Sequence, residues 1–281
     1  MSFTKILESH SPLNKRRQCS LEKLDIVKKL ANEDDTLKDD SLSIFCAGSL
    51  ARLETGEKSD LDVFVLATKE EKLESRLFEY TLFSRLISLN EQLKFPPFSN
   101  DGEYLKIHFL DELKNRTGSR RDDVENLFTV RMLLMLESKP LVNEVLYNQH
   151  LTSIIEHYYR DGKGKASFRP LFLLNDLLRY WRTLCLNYEE RRHEPQRPWR
   201  KKNINLKFSR MLTVFGTVLP LVTWPVGKVE ELVEFCNKTP IERLAAGLER
   251  LDDNQLLDEW ESILDVYESF LTWKDESPLV Y

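Results

Sequence analysis

Residues 47–66, AGSLARLETGEKSDLDVFVL, decide how this chain is read. An apolar run, 42–47 (LSIFCA), leads into the stretch, and a second, 61–67 (LDVFVLA), closes it; each has the length of a buried strand. Gly48 and Ser49 stand where a short helix is expected over 50–54, and 55–59 (TGEKS) has the composition of a turn. Gly48 permits close backbone approach, while Ser49 and the free N–H groups of a helix start can face phosphate oxygens. Asp60 and Asp62 flank Leu61 as the second strand begins. A period of two puts both carboxylates on one face and turns Leu61 and Val63 into the core. Carboxylates held that close repel one another. A hard divalent cation relieves the repulsion, and Mg²⁺ favours a few carboxylates plus substrate phosphates.

Outward from this stretch, 21–32 reads as a helix, 69–93 as a charged periodic helix, and 103–110 (EYLKIHFL) as a third strand. After about residue 123 the pattern changes to long amphipathic helices over 124–137, 141–160, 169–192, 204–219 and 256–273. Pro140, Pro170, Pro220, Pro225 and Pro240 stand near their expected ends. The expected architecture is therefore α+β. A small mixed-sheet lobe over 1–125 precedes an α-helical lobe over 126–281, with a cleft between them.

The 281 residues are 41% hydrophobic and 31% charged, which excludes a disordered chain and a coiled coil. A net charge of −5 argues against a general nucleic-acid coat protein. No apolar run approaches the length of a membrane span and the first residues carry no leader-like core, so a cytoplasmic protein without membrane insertion is expected. Cys19, Cys46, Cys185 and Cys236 lack metal spacing and read as free thiols. His10, His108, His150, His157 and His193 form no ligand pattern either.

Gly-Ser, a short helix and Asp-x-Asp entering a strand resemble the polymerase-β-type nucleotidyltransferase superfamily. The form carried by residues 48–62, GSxARxExxxxSDLD, is most similar to the branch of protein-modifying (GlnD-like) and phage-defence nucleotidyltransferases. The resemblance implies that Gly48 and Ser49 contact a nucleoside triphosphate and that Asp60 and Asp62 hold two Mg²⁺ (or Mn²⁺) ions. It also implies a third carboxylate on a neighbouring strand, for the metal and the attacking hydroxyl. Glu103 is the choice, with Asp101 and Asp111 as rivals. The plain alternative is a surface helix cap at Ser49 and two solvated aspartates.

In the helical half, Arg179 and Arg182 either meet phosphate, or Arg179 pairs with Asp176 along its own helix. Residues 191–210 form a basic strip, and Lys207 and Arg210 share a helix face with Ser209 adjoining. The superfamily commonly uses a lysine and a small hydroxyl residue there, so the resemblance makes Lys207 and Arg210 triphosphate ligands. The strip also suits an oligonucleotide product. From 252 the balance turns acidic, and the chain ends in SPLVY, whose Tyr281 hydroxyl is a possible nucleotide acceptor. The layout is similar to Hailong-type phage-defence nucleotidyltransferases, which implies template-free DNA oligomers sensed by a membrane-effector partner. Homo-oligomerisation stays open. The other classes are a protein- or small-molecule-modifying nucleotidyltransferase and an inactive nucleotide-binding partner.

Overall fold

A computed structural model describes residues 2–68, 73, 75–98, 102, 104–162, 165, 168–192, 199–223, 227–251 and 255–276, without the side chains of 191 and 199–201. The chain divides into two compact units, Arg16–Arg160 on one hand and Met1–Lys15 with Asp161–Tyr281 on the other. The first holds a four-stranded sheet and the second is helical, so the protein is mixed α and β.

The sheet has the order β3-β2-β1-β4, with β1 (Leu42–Ala47), β2 (Asp62–Ala67), β3 (Ile107–Phe109) and β4 (Lys139–Val142). β1 is antiparallel to β2 and β4, and β2 is parallel to β3. The first run is buried from end to end and the second everywhere but at the half-buried Asp62, because both faces of the sheet are covered. Ile44, Cys46, Val63 and Val65 pack with Leu24 and Val27 of α2 (Ser11–Glu33) and with Leu82 and Leu86 of α4 (Arg76–Gln92). On the other face Phe45 stacks on Phe64 at 5.4 Å and meets Tyr147 of α8 (Glu144–Tyr158). Between lie α3 (Gly48–Ala51), α5 (Leu110–Asn115), α6 (Arg120–Val124) and α7 (Leu127–Leu136). Arg131 of α7 ties several of these together: it grips Asp122 with two hydrogen bonds of 3.0 and 2.8 Å and also donates to the Leu113 carbonyl and the Tyr158 hydroxyl. A buried pair satisfied on every side can persist at little net cost.

The helical unit comprises α1 (Phe3–Ser9), α9 (Leu171–Arg192), α10 (Trp199–Asn205), a π-helical turn (Leu206–Arg210), α11 (Met211–Thr223), α12 (Val229–Cys236), α13 (Pro240–Glu249) and α14 (Gln255–Glu276). Its core centres on the fully buried Trp260, whose indole N–H donates to the Phe3 carbonyl at 3.0 Å. α11 packs most extensively on α13. A Cβ at Gly216 would come within 2.8 Å of the Pro240 carbonyl, so only glycine allows that approach without a shift.

Several expectations need correction. The helix read over 141–160 begins only at Glu144, and 139–142 is strand β4, with Pro140 opposite Phe45. Proline was read as a helix boundary, but β4 is an edge strand, where a missing N–H is tolerated. Because β4 pairs with β1, the sheet unit runs past the expected boundary at 125 to residue 160, and residues 1–15 join the helical unit. The third strand shrinks to three residues, since Leu110 already starts α5. The helix expected over 50–54 begins earlier, at Gly48, and stops at Ala51. Pro220 lies inside α11, and Pro240 opens α13 behind a Thr239–Glu242 capping box. One helix bears on the expectation that no apolar run approaches membrane-spanning length. Lys202–Thr223 is one 22-residue helix of hydropathy 1.2, long and apolar enough by length and composition alone. Of its most apolar 18-residue window, 39% is buried.

Two buried histidines make the sheet unit acid-sensitive. Burial pushes His108 down to about 3 and His150 to about 4, from an ordinary value of 6.5. His150 is hydrogen-bonded to Ser43 at 2.9 Å, whereas both ring nitrogens of His108 lack a partner among the described residues. The folded state resists protons that the unfolded chain accepts. The stabilisation is therefore complete above pH 6.5 and is lost as pH falls towards 4, with about 3 kcal/mol at stake for His150. Melting temperature is expected to drop steeply between pH 6.5 and 4.5. His108→Leu, which removes the orphaned nitrogens, is expected to melt no lower than the parent at pH 7 and to flatten the drop; an unchanged slope refutes the assignment.

Candidate active site

The quoted stretch folds into a tight excursion between β1 and β2. Antiparallel pairing sets Ala47 opposite Asp62, so the residue after β1 meets the first residue of β2. Gly48 adopts φ +69°, and a Cβ on it would collide with Asp62 Oδ2. Glycine is thus required twice over, by its dihedral and by the carboxylate against it. Backbone bonds then close the turn: the Arg52 N–H donates to the Gly48 carbonyl at 3.0 Å and the Glu54 N–H to the Ser49 carbonyl at 2.8 Å. Leu53 takes φ +60°, a conformation unusual for a leucine and held here by its burial. Farther along, the Thr55 N–H donates to Ser20 Oγ at 2.9 Å and Lys23 Nζ to the Gly56 carbonyl at 3.1 Å, which fastens the loop to α2.

Sequence reasoning missed the side chains that brace this turn. Arg52 is buried between two carboxylates; its Nε donates to Glu54 at 2.8 Å and its NH1 to Glu137, just beyond α7. Arg52 and Glu54 lie inside the quoted motif, where their spacing could have suggested a pair. Glu137 is 85 residues away from Arg52 and gives no sequence signal.

Asp60 and Asp62 are both half-buried on either side of the buried Leu61. Asp62 also lines a cavity of about 20 Å³ with Phe64, Phe98, Gly102, Tyr104 and Leu105. That is room for about one water-sized occupant, so a nucleotide would lie outside it. Glu103 and Asp101 fall outside the described residues, although Gly102 and Tyr104, the neighbours of Glu103, line the same cavity as Asp62. Asp111 is placed elsewhere. β2 and β3 run parallel with Ala67 level with Phe109, so Asp111 lies beyond the end of the sheet opposite to Asp62, roughly 17 Å or more away along the strand. Among the described residues no group of three or more His, Cys, Asp and Glu side chains could hold a metal ion. Asp60 and Asp62 offer hard oxygen donors of the kind Mg²⁺ or Mn²⁺ takes.

The remaining candidates lie in the helical unit. Arg179 pairs with the buried Asp176 at 3.5 Å along α9, which is the plainer of its two expected roles, and Arg182 is exposed. Lys207 and Arg210 both fall in the π turn, Lys207 exposed and Arg210 half-buried. A π turn inside a helix is uncommon and frequently marks a functional site. Ser209 in the same turn is buried, and its hydroxyl has no partner among the described residues. Much of the basic strip, including residues 193–198, lies outside the described residues, as does Tyr281. Cys46 and Cys236 are buried free thiols, pushed up to about 12 and about 11 by burial, whereas Cys19 is exposed. No family model matches the chain, and no curated protein matches it.

Proposed function

We propose that the chain is a metal-dependent, template-independent nucleotidyltransferase that transfers NMP or dNMP from a nucleoside triphosphate to a hydroxyl acceptor and releases pyrophosphate. The observation that carries this reading is the contact of Asp62 with Gly48. It brings a carboxylate against a backbone turn that no side chain can occupy. In this reading Asp60, Asp62 and Glu103 hold two divalent ions, whose charge supplies stabilisation of the entering and leaving oxygens. Gly48 leaves room for triphosphate oxygens and Ser49 offers a hydroxyl beside them. The acceptor oxygen forms a bond to the α-phosphorus, the bond from that phosphorus to the β-bridging oxygen breaks, and the acceptor proton passes to Glu103.

The acceptor proposed is a nucleotide, a growing oligonucleotide or Tyr281 itself, which would suit a signal-producing enzyme of phage defence whose product a membrane effector senses. Buried reduced thiols fit a cytoplasmic setting. A second reading, a nucleotide-binding partner without turnover, draws on the described residues, among which no group of three or more His, Cys, Asp and Glu side chains could hold a metal ion. Transfer to a protein or small molecule is the remaining alternative.

Purified chain with each labelled NTP and dNTP, and Mg²⁺ or Mn²⁺, separates these. A product ladder with pyrophosphate is expected, and label on the protein that disappears in Tyr281→Phe identifies self-priming. A single small product supports transfer to a nucleotide or small molecule. Saturable nucleotide binding without pyrophosphate from any substrate overturns the enzyme reading.

A further inference from the structure

The helical unit carries an apolar groove whose walls are α11 and α14 and whose floor is α13. Its volume is about 500 Å³, and a second hollow of about 580 Å³ adjoins it, sharing Phe208, Ile263 and Tyr267. Met211, Phe215 and Val222 on one wall and Ile263 and Val266 on the other are exposed large apolar side chains. Contiguous apolar surface of this kind usually marks a binding site. From Met211 to Val222 the wall is about 17 Å long, three helical turns, which matches a helix presenting anchors at i, i+4 and i+7.

The walls differ in charge. Met211–Thr223 contains no charged residue, and Lys207 of the preceding π turn is the one cation that lines the groove among the described residues, whereas α14 carries Asp258, Glu259, Glu261, Asp265, Glu268, Asp275 and Glu276 against Lys274. Asp265 is turned to His10, and it is Asp258 and Glu259 that line the hollow. We infer that this groove is a docking site for an amphipathic helix of a partner polypeptide, its apolar stripe laid on α11 and its Lys or Arg flank facing Asp258 and Glu259. The same acidic wall disfavours a second copy, which would bring two α14 helices of like charge together. It also disfavours an anionic membrane surface.

The test uses the full chain and two labelled 18-residue helical peptides that share a leucine stripe, one flanked by lysines and the other by glutamates. Fluorescence anisotropy is expected to show saturable binding of the lysine peptide, at least tenfold weaker binding of the glutamate peptide, and tenfold loss in Ile263→Glu. Asp258→Lys with Glu259→Lys is expected to reverse the preference. Circular dichroism and melting check that each variant is folded, and Phe215→Glu replaces Ile263→Glu if the latter is not. Equal binding of the two peptides, or binding that ignores both groove variants, overturns the inference. So does a dimer by light scattering that Ile263→Glu dissolves, which assigns the groove to a second copy, or binding to phosphatidylglycerol vesicles lost in the same variant. A chain ending at Glu276 that binds the lysine peptide tenfold tighter than the full chain assigns the groove to its own last residues, and likewise overturns it.

Discussion

Asp62→Asn is expected to lower pyrophosphate release at least ~100-fold while the protein melts within a few degrees of the parent. The asparagine keeps the shape of the side chain against Gly48 but loses the negative charge with which, in the proposed function, Asp62 would hold a divalent ion. Asp62 is half-buried at the first position of β2, so loss of its charge leaves the strand register, set by Val63, Val65 and their partners on β1, as it was. Gly48→Ala reaches the same site by a different route. An alanine at φ +69° costs about 1–2 kcal/mol in backbone strain, and its Cβ pushes Asp62 out of place. Activity and melting temperature should therefore fall together in Gly48→Ala and separate in Asp62→Asn. Groups acting as a unit are not additive, so Asp60→Asn added to Asp62→Asn should cost little more than the single change. Turnover within threefold of the parent in Asp62→Asn removes the aspartate pair from the reaction.

How far the sequence foretold this site depends on how local each signal is. The runs at 42–47 and 61–67 stand out because a strand covered on both faces is apolar throughout, and the structure places β1 and β2 within a residue of those runs. Gly48 and Asp62 were legible as a motif, but the contact between them follows from the antiparallel register, which composition does not specify. β4 was hidden because four residues containing Pro140 cannot be told from a helix boundary; its pairing with β1 is a contact across 93 residues, from Cys46 to Lys139. The helices α12 and α13 went unread for a related reason. Each is short, and Pro240, taken for a terminator, is the first residue of α13. Asp111 was a fair rival by spacing alone. It fell once β3 proved to end at Phe109 and to run parallel to β2, which carries its far end away from Asp62.

The buried brace behind the turn leads to the largest expected loss of stability. Arg52 shares one guanidinium between Glu54 and Glu137, and all three side chains are almost wholly withdrawn from water. Arg52→Met fills much of the same space but deprives two buried carboxylates of the cation they share. Breaking a buried pair from one side typically costs about 3–5 kcal/mol, on the order of 10 °C in melting temperature for a chain of this size. Arg52→Lys should fall between the two, since it keeps the charge and loses the planar fork that meets both carboxylates. If the penalty is electrostatic, adding Glu137→Gln to Arg52→Met must restore part of it, because a buried amide is far cheaper than a buried carboxylate. If the penalty is one of packing, the second change adds to the first. Arg52→Met melting within 2 °C of the parent would show that the brace contributes nothing. A loss recovered by Glu137→Gln makes this clamp, 85 residues wide in sequence, the reason the Gly48 turn holds its shape against Asp62.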